Sequence, residues 1–296
     1  MTDTQRLVGI LYQPRVPEAQ ALAKSLERVL LERGYRIWSA SAWNEGEATT
    51  LMADTYAVIS VGGDGTILRA ARAVIPEPVP IVGVRFGRLG FIAEVPPDTA
   101  LERVPALLAG DGHLEVRSML EATLAHTKLE PAIAEKHHPL LGGEPCFHAL
   151  NEVMVARGAP GRPINVQVSI DGQLLTTYRA DGVTVATATG STGYVLSAGG
   201  PILRPTSERF VLTPVAAHAT LNNALVLEPE SVVELTVYSD HGAIVSIDGQ
   251  VDITVDDGET VTVRRSPHQA RFLRTSPGDH FYESLIHRLR FGESVV

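Results

Sequence analysis

The feature that most constrains the fold is a change of hydrophobic rhythm near Gly112. Before it, short apolar runs alternate with helical patterns. Leu7–Tyr12, Arg36–Ser39, Tyr56–Val61 and Ile81–Val84 read as strands. Pro17 opens a helix with Ala19, Leu22, Leu26, Val29 and Leu30 on one face, and Gly34 lies just past its end. A second helix is expected from Thr66 to Val74. A third should run from an Asp98 cap to Leu108, closed by Gly110. Strands separated by helices imply βαβ units and a mainly parallel sheet.

After Gly112, helical periodicity nearly vanishes until about Pro267. Arg117–Ala125, Phe147–Ala156, Ile164–Ile170, Val183–Thr189, Phe210–Val215, Ser231–Tyr238, Ala243–Ile247 and Thr260–Arg264 read as strands. Asp171-Gly172, Asp248-Gly249 and Asp257-Gly258 are tight-turn signals between them. Many short strands with such turns point to a sandwich-like β domain. His126–Pro145 reads as a long loop, and Phe281–Leu289 as a final helix. The expected fold class is α/β plus β. A Rossmann-like N-terminal α/β domain would cover residues 1–112 and a β-sandwich-like domain residues 113–276. A C-terminal helix within 277–296 is expected to pack back on the first domain. A length of 296 residues suits two domains.

Composition narrows the function classes. A net charge of −9 argues against nucleic acid as the main partner. No apolar run approaches the ~20 residues of a membrane span, so no membrane partner is expected. Met1–Gln20 lacks a basic start followed by an apolar run, and Cys146 is the only cysteine. The expectation is a soluble, cytoplasmic protein.

Three segments carry chemistry. The first is Val58–Thr66, an apolar strand leading through Gly62-Gly63-Asp64-Gly65 into a helix start. Glycines let backbone approach a phosphate, and N–H groups at a helix start point at it. Asp64 would repel phosphate but can accept a hydroxyl proton or help position magnesium. A plain turn before a helix fits the same four residues equally well. Walker A, Gly-x-Gly-x-x-Gly, Gly-x-Ser-x-Gly and His-Glu-x-x-His are all missing, which lowers the other nucleotide-binding, hydrolase and zincin readings. The second segment is Asp181–Pro201, a β-rich run entering a stretch crowded with hydroxyls and glycines, with Tyr194 as its aromatic. It suits a polar, planar ligand, or a surface turn. The third is Asn151-Glu152, which interrupts the apolar Ala149–Val155. Carboxylate and amide are natural partners of a ribose diol, though a strand end reaching solvent would read the same.

Taken together, these segments resemble the NAD kinase family. Gly83–Glu94 (GVRFGRLGFIAE) and Arg117-Ser118-Met119-Leu120 add to the likeness, which spans Leu7 to Arg290. The glycine-rich turn alone is shared with phosphofructokinases and with diacylglycerol and sphingosine kinases. The resemblance implies transfer of the ATP γ-phosphoryl group to the 2′-hydroxyl of the adenosine ribose of NAD, giving NADP. It implies magnesium or another divalent metal carried with the nucleotide, and a homodimer or homotetramer, with polyphosphate an open alternative to ATP. Asp64 would be the base. Gly63, Gly65 and Thr66 would shape the phosphate turn, with Phe91 near the adenine. Arg85 and Arg88 add positive charge close to that turn in the chain, which suits contact with nucleotide phosphates and surface salt bridging equally well. Asn151 and Glu152 would hold the adenosine part of NAD. Asp181, Thr192, Gly193, Tyr194 and Ser197 would line the dinucleotide site. The chain departs from the family pattern at Arg85, Ala188 and Gly193, where Asn, Pro and Ala are commoner. Two rivals stay open, a lipid or sugar kinase sharing the turn and a catalytically silent dinucleotide sensor.

Overall fold

The computed structural model describes residues 6–87, 90–124, 146–217, 222–275, 281–282 and 285–286. The chain divides into two compact units, Met1–Val116 with Ala270–Val296, and Arg117–Gln269.

The first unit holds β1 (Leu7–Tyr12), α1 (Pro17–Glu32), β2 (Arg36–Ser41), α2 (Glu45–Thr50), β3 (Thr55–Gly62), α3 (Asp64–Ala73), β4 (Ile81–Arg85) and α4 (Ala100–Leu108). The strands lie parallel in the order β2-β1-β3-β4. Buried Val8 and Ile10 of β1, Ile59 and Val61 of β3 and Val82 and Val84 of β4 pack with Leu26, Leu30, Val104 and Leu108 of the helices. Burial of these apolar surfaces is what holds the sheet and helices together. Two local expectations change. The cap of α4 is Thr99, with Asp98 accepting the Thr99 N–H at 3.1 Å instead of capping the helix itself. Helix α2 carries no apolar stripe that would announce it; Ala48 is its buried residue.

The second unit is a two-sheet sandwich. One sheet is six-stranded and antiparallel, ordered β12 (Leu225–Leu227), β11 (Phe210–Val215), β10 (Gly182–Thr187), β7 (Glu152–Arg157), β14 (Ala243–Ile247), β15 (Val251–Val255). The other runs β16 (Thr260–Arg274, in this unit up to Gln269), β13 (Val232–Tyr238), β8 (Ile164–Ile170), β9 (Gln173–Ala180), with β5 (His113–Leu124, in this unit from Arg117) pairing β16 and β6 (Cys146–Ala149). Val153, Val155, Val183, Val185 and Val245 of the first sheet share one core with Val166, Val168, Val233, Leu235 and Val261 of the second. Asp171-Gly172 and Asp248-Gly249 both have positive φ at both residues, the mirror-image hairpin turn expected of them.

The expected strand Phe147–Ala156 is two strands, β6 and β7, broken at Leu150-Asn151. The expected Thr260–Arg264 continues to Arg274. Its buried positions shift from Val261 and Val263 to Ser266, Ala270 and Phe272, so simple alternation fails across it. Phe281, Tyr282, Leu285 and Ile286 are helical where a final helix is expected; the rest of that helix, and the loop 126–145, lie outside the described residues.

Candidate functional site

In the first unit the chain runs from β1 outward to β2, then returns to the other side of β1 for β3. Neighbouring connections therefore leave in opposite directions at the carboxyl ends of β1 and β3, where open α/β sheets bind ligands. The glycine-rich turn follows β3 at that point. A Cβ on Gly62 would overlap the Thr66 hydroxyl, so the strand can end only in glycine without moving α3. Gly63 is extended and caps α3, which starts at Asp64, two residues before the expected Thr66. Asp64 thus sits in the first helical turn, where the helix dipole favours negative charge.

The Asp64 carboxylate accepts backbone N–H bonds from Phe91 at 2.6 Å, Ala93 at 3.1 Å and Ile92 at 3.3 Å. Gly90 permits this approach, since a Cβ there would overlap the carboxylate. Arg274 fixes the same segment from its other side. Its guanidinium donates to the Ile92 carbonyl at 2.5 Å and to Glu115 at 3.0 Å, with Glu94 3.9 Å away. Arg85, at the end of β4, lies opposite Gly62 in register. Phe91 is half-buried, Gly65 exposed and Thr66 buried, while Arg88 lies outside the described residues.

In the second unit, Asp248 organises the break between β6 and β7. Held at φ 52° at the start of its turn, it accepts N–H bonds from Asn151 at 2.7 Å, Leu150 at 3.1 Å and Glu152 at 3.2 Å. Its own N–H donates to the Glu152 carbonyl at 2.9 Å. Thr187 locks the next turn on: its hydroxyl donates to the Leu150 carbonyl at 2.6 Å and accepts the Gly190 N–H at 3.0 Å, and its N–H donates to the Asn151 carbonyl at 2.8 Å. A Cβ on Gly190 would overlap the Asn151 backbone. Gly193 comes close enough that a Cβ would lie 3.5 Å from Glu152 Oε2 and 3.9 Å from Asn151 Nδ2.

Asn151, Glu152, Gly190 and Gly193 are therefore one cluster. Asn151 Oδ1 and Glu152 Oε2 are buried and bond to no described residue. Burial, and then the Asp248 charge, push the Glu152 carboxyl up to about 8. Buried Thr192 spends its hydroxyl on the Thr189 carbonyl at 3.0 Å. Exposed Tyr194 and Ser197 open and close α5 (Tyr194–Ser197). Asp181 does not join the cluster. It precedes β10, five residues before the position paired with Glu152, roughly 17 Å at a strand's rise, and it is ion-paired to Arg157 at 3.1 Å.

Three residues in these sites have roles that the sequence reading missed. Asp248 reads as an ordinary Asp-Gly turn in sequence. Buried Arg117, which donates to Thr189 at 3.4 Å, and Arg274 act through contacts 72 and 182 residues away in the chain, for which sequence offers no local signal.

Models of the ATP-NAD kinase N-terminal domain and the ATP-NAD kinase C-terminal domain match residues 45–112 and 150–275. The chain belongs to the NAD kinase family. It is 40% identical over 290 residues to the NAD kinase of Dehalococcoides mccartyi strain CBDB1, covering 98% of each chain. It is 39% identical over 285 residues to that of Chloroflexus aurantiacus strain J-10-fl, covering 96% of this chain and 98% of the relative. An NAD kinase from Archaeoglobus fulgidus, solved in complex with ATP, superposes with a TM-score of 0.72 at 27% identity, over 96% of this chain and 98% of that one. Yeast NADH kinase, solved with NADH, shares the fold, with a TM-score of 0.79 at 21% identity over 99% and 90% of the two chains. The matched stretches include the Asp64 turn with its 91–93 partners, and the Asn151–Gly193 cluster with Asp248. Members of the NAD kinase family phosphorylate NAD with ATP as donor.

Proposed function

We propose that this chain transfers the γ-phosphoryl group of ATP to the 2′-hydroxyl of the adenosine ribose of NAD, giving NADP. One observation carries the reading beyond family membership: Asn151 Oδ1 and Glu152 Oε2 are buried side-chain atoms without partners among the described residues. Leaving such atoms unpaired is costly, and a ligand's hydroxyls supply the missing donors. A ribose diol offers two at the spacing of adjacent carbons.

Asp64 accepts the 2′-hydroxyl proton as the ribose oxygen bonds to phosphorus and the bond to the ADP oxygen breaks. The transition state is loose, so positioning and charge neutralisation do most of the work. The three N–H bonds from residues 91–93 fix the carboxylate's orientation, and a carboxylate has about four acceptor sites in all. Magnesium or another divalent ion enters as the substrate complex with ATP. Asp64 is a hard oxygen donor of the kind magnesium takes alongside phosphates. Arg85 meets nucleotide phosphate, and Gly63, free of close neighbours around a would-be Cβ except Phe86 O at 3.5 Å, leaves room for it. Tyr194, Ser197 and Asp181 belong to the dinucleotide site by resemblance to the family. A homodimer or homotetramer rests on the same resemblance. Among the described residues no helix is long and apolar enough to cross a membrane.

The test is direct. Purified protein is incubated with NAD, ATP and magnesium, and NADP is detected with a coupled NADP-specific dehydrogenase. NADP formation supports the reading; binding of NAD without turnover would make this chain a sensor, and neither would point to another acceptor.

A further inference from the structure

The outer face of β5 and β6 carries a second cluster. Leu120, Ala122 and Leu124 of β5, with Phe147 and Ala149 of β6, face the sandwich core. The residues between them face away. Glu121 lies directly opposite His148, and Cys146 is two residues before His148 on the same face. A carboxylate oxygen of Glu121, the Cys146 sulfur and a His148 ring nitrogen lie within 4.8 Å of one another.

From this geometry we infer that Glu121, Cys146 and His148 form a binding site for a zinc-class transition-metal ion. Zinc bonds of about 2.3 Å to sulfur and about 2.0–2.1 Å to imidazole, at a tetrahedral angle, put those two atoms roughly 3.6 Å apart. Cys146 Sγ and His148 Nε2 are 3.7 Å apart. The second ring nitrogen, Nδ1, bonds to Ser266 Oγ at 3.0 Å. That bond orients the ring with Nε2 toward the sulfur, the arrangement that supports ligating histidines generally. His268 stands edge-on to His148 with ring centroids 5.0 Å apart and walls the site. Arg264 engages Glu121 through Oε1, at 2.6 and 2.8 Å, and offsets its charge. Cys146 and His148 are half-exposed, so an ion can enter from solvent. The mixed sulfur, nitrogen and oxygen set suits zinc or cobalt and not magnesium, which takes oxygen ligands. None of the three ligands is among the residues assigned to NAD and ATP.

Because Cys146 is the only cysteine, any thiolate–metal band reports on this site alone. The full-length protein is stripped with a chelator and titrated with cobalt(II). The expected result is a thiolate-to-cobalt charge-transfer band that saturates at one ion per chain. It should be bleached by zinc and unaffected by excess magnesium. The band should vanish in Cys146→Ser. Cobalt affinity should fall on the order of 10–100-fold in Ser266→Ala, the loss typical of a ligand's supporting hydrogen bond. His148→Gln should weaken it at least as much. Melting curves in the absence of metal confirm that the variants fold. A missing band, displacement by magnesium, or unchanged affinity in His148→Gln would overturn the assignment.

Discussion

The two units each present one carboxylate beside a glycine-rich turn, and they treat it in opposite ways. Asp64 receives three backbone N–H bonds from residues 91–93. Glu152 receives none of the comparable donors in its own turn, because Asp248 takes those of Leu150, Asn151 and Glu152. Asp64 is thereby fixed and solvated by protein. Glu152 is half-buried, its buried Oε2 has no partner among the described residues, and its carboxyl is pushed up to about 8. The same residue chemistry thus yields a firmly oriented anion in one place and an unsatisfied, ligand-seeking group in the other. The deciding factor is which carboxylate the backbone N–H groups were given to.

The sharpest way to break this contrast is Asp64→Asn, which keeps the shape but removes the charge and presents an NH2 group to the N–H groups of 91–93. The expected loss is on the order of 10²–10⁴ in kcat, the range of a general base. Coupled NADP assays measure it, and near-normal turnover rejects Asp64 as the base.

Asp248→Ala should come next. Three N–H groups, that of Leu150 buried and those of Asn151 and Glu152 partly so, lose their acceptor at roughly 1–3 kcal/mol each, so unfolding in urea should show a loss of about 3–9 kcal/mol and the KM for NAD should rise. Asp248→Asn retains an acceptor and should cost less. It also removes a charge that raises the Glu152 carboxyl, so the Glu152 midpoint should move below 8.

Glu152 itself supplies a pH signature. Its folded value lies above its ordinary 4.5, so between about 5 and 8 the folded protein holds a proton that the unfolded chain releases. Stability therefore falls as pH rises through that window. Glu152→Gln has no such proton, and urea midpoints at pH 5 and 8.5 should show its stability relative to the parent improving by a few kcal/mol at the higher pH. In the parent, KM for NAD should drop as pH rises through 8, because ribose hydroxyls donate to the ionised carboxylate. In the glutamine variant that drop should be absent; an equal drop there would assign it to another group. The smallest effect is expected from Arg85→Ala. Loss of one partly exposed phosphate contact should raise KM for ATP roughly 3–10-fold at low salt and less at high salt. An unchanged KM removes Arg85 from the phosphate site.

Much of this was legible in the residues. The strand ending in Gly62-Gly63-Asp64-Gly65 announces its turn because its glycines and its following helix are contiguous in sequence. Asn151-Glu152 is visible as a polar break in an apolar run, and Asp248-Gly249 as a hairpin turn. What could not be read was that these last two are partners. The N–H groups that Asp248 holds are 96 to 98 residues away, and no local pattern encodes that pairing. Gly90 looks like one more loop glycine until the Asp64 carboxylate is placed against it. Asp181 shows the converse. It shares a motif block with Thr192 in sequence, yet the extended length of β10 separates it from the Glu152 cluster.

The sequence by itself determined the kinds of most elements: hydrophobic period selects helix or strand, and Asp-Gly pairs such as Asp171-Gly172 and Asp248-Gly249 select tight turns, because both are local properties of backbone and side chain. It also determined which residue types are available for chemistry. Only the tertiary structure decided which polar groups are satisfied. Hydrogen bonds exhaust donors between distant segments, so Asp64 became an anchored carboxylate while Glu152 Oε2 was left without a partner among the described residues. On the outer sheet face, pairing of β5 with β6 put a carboxylate, a thiol and an imidazole within reach of one ion.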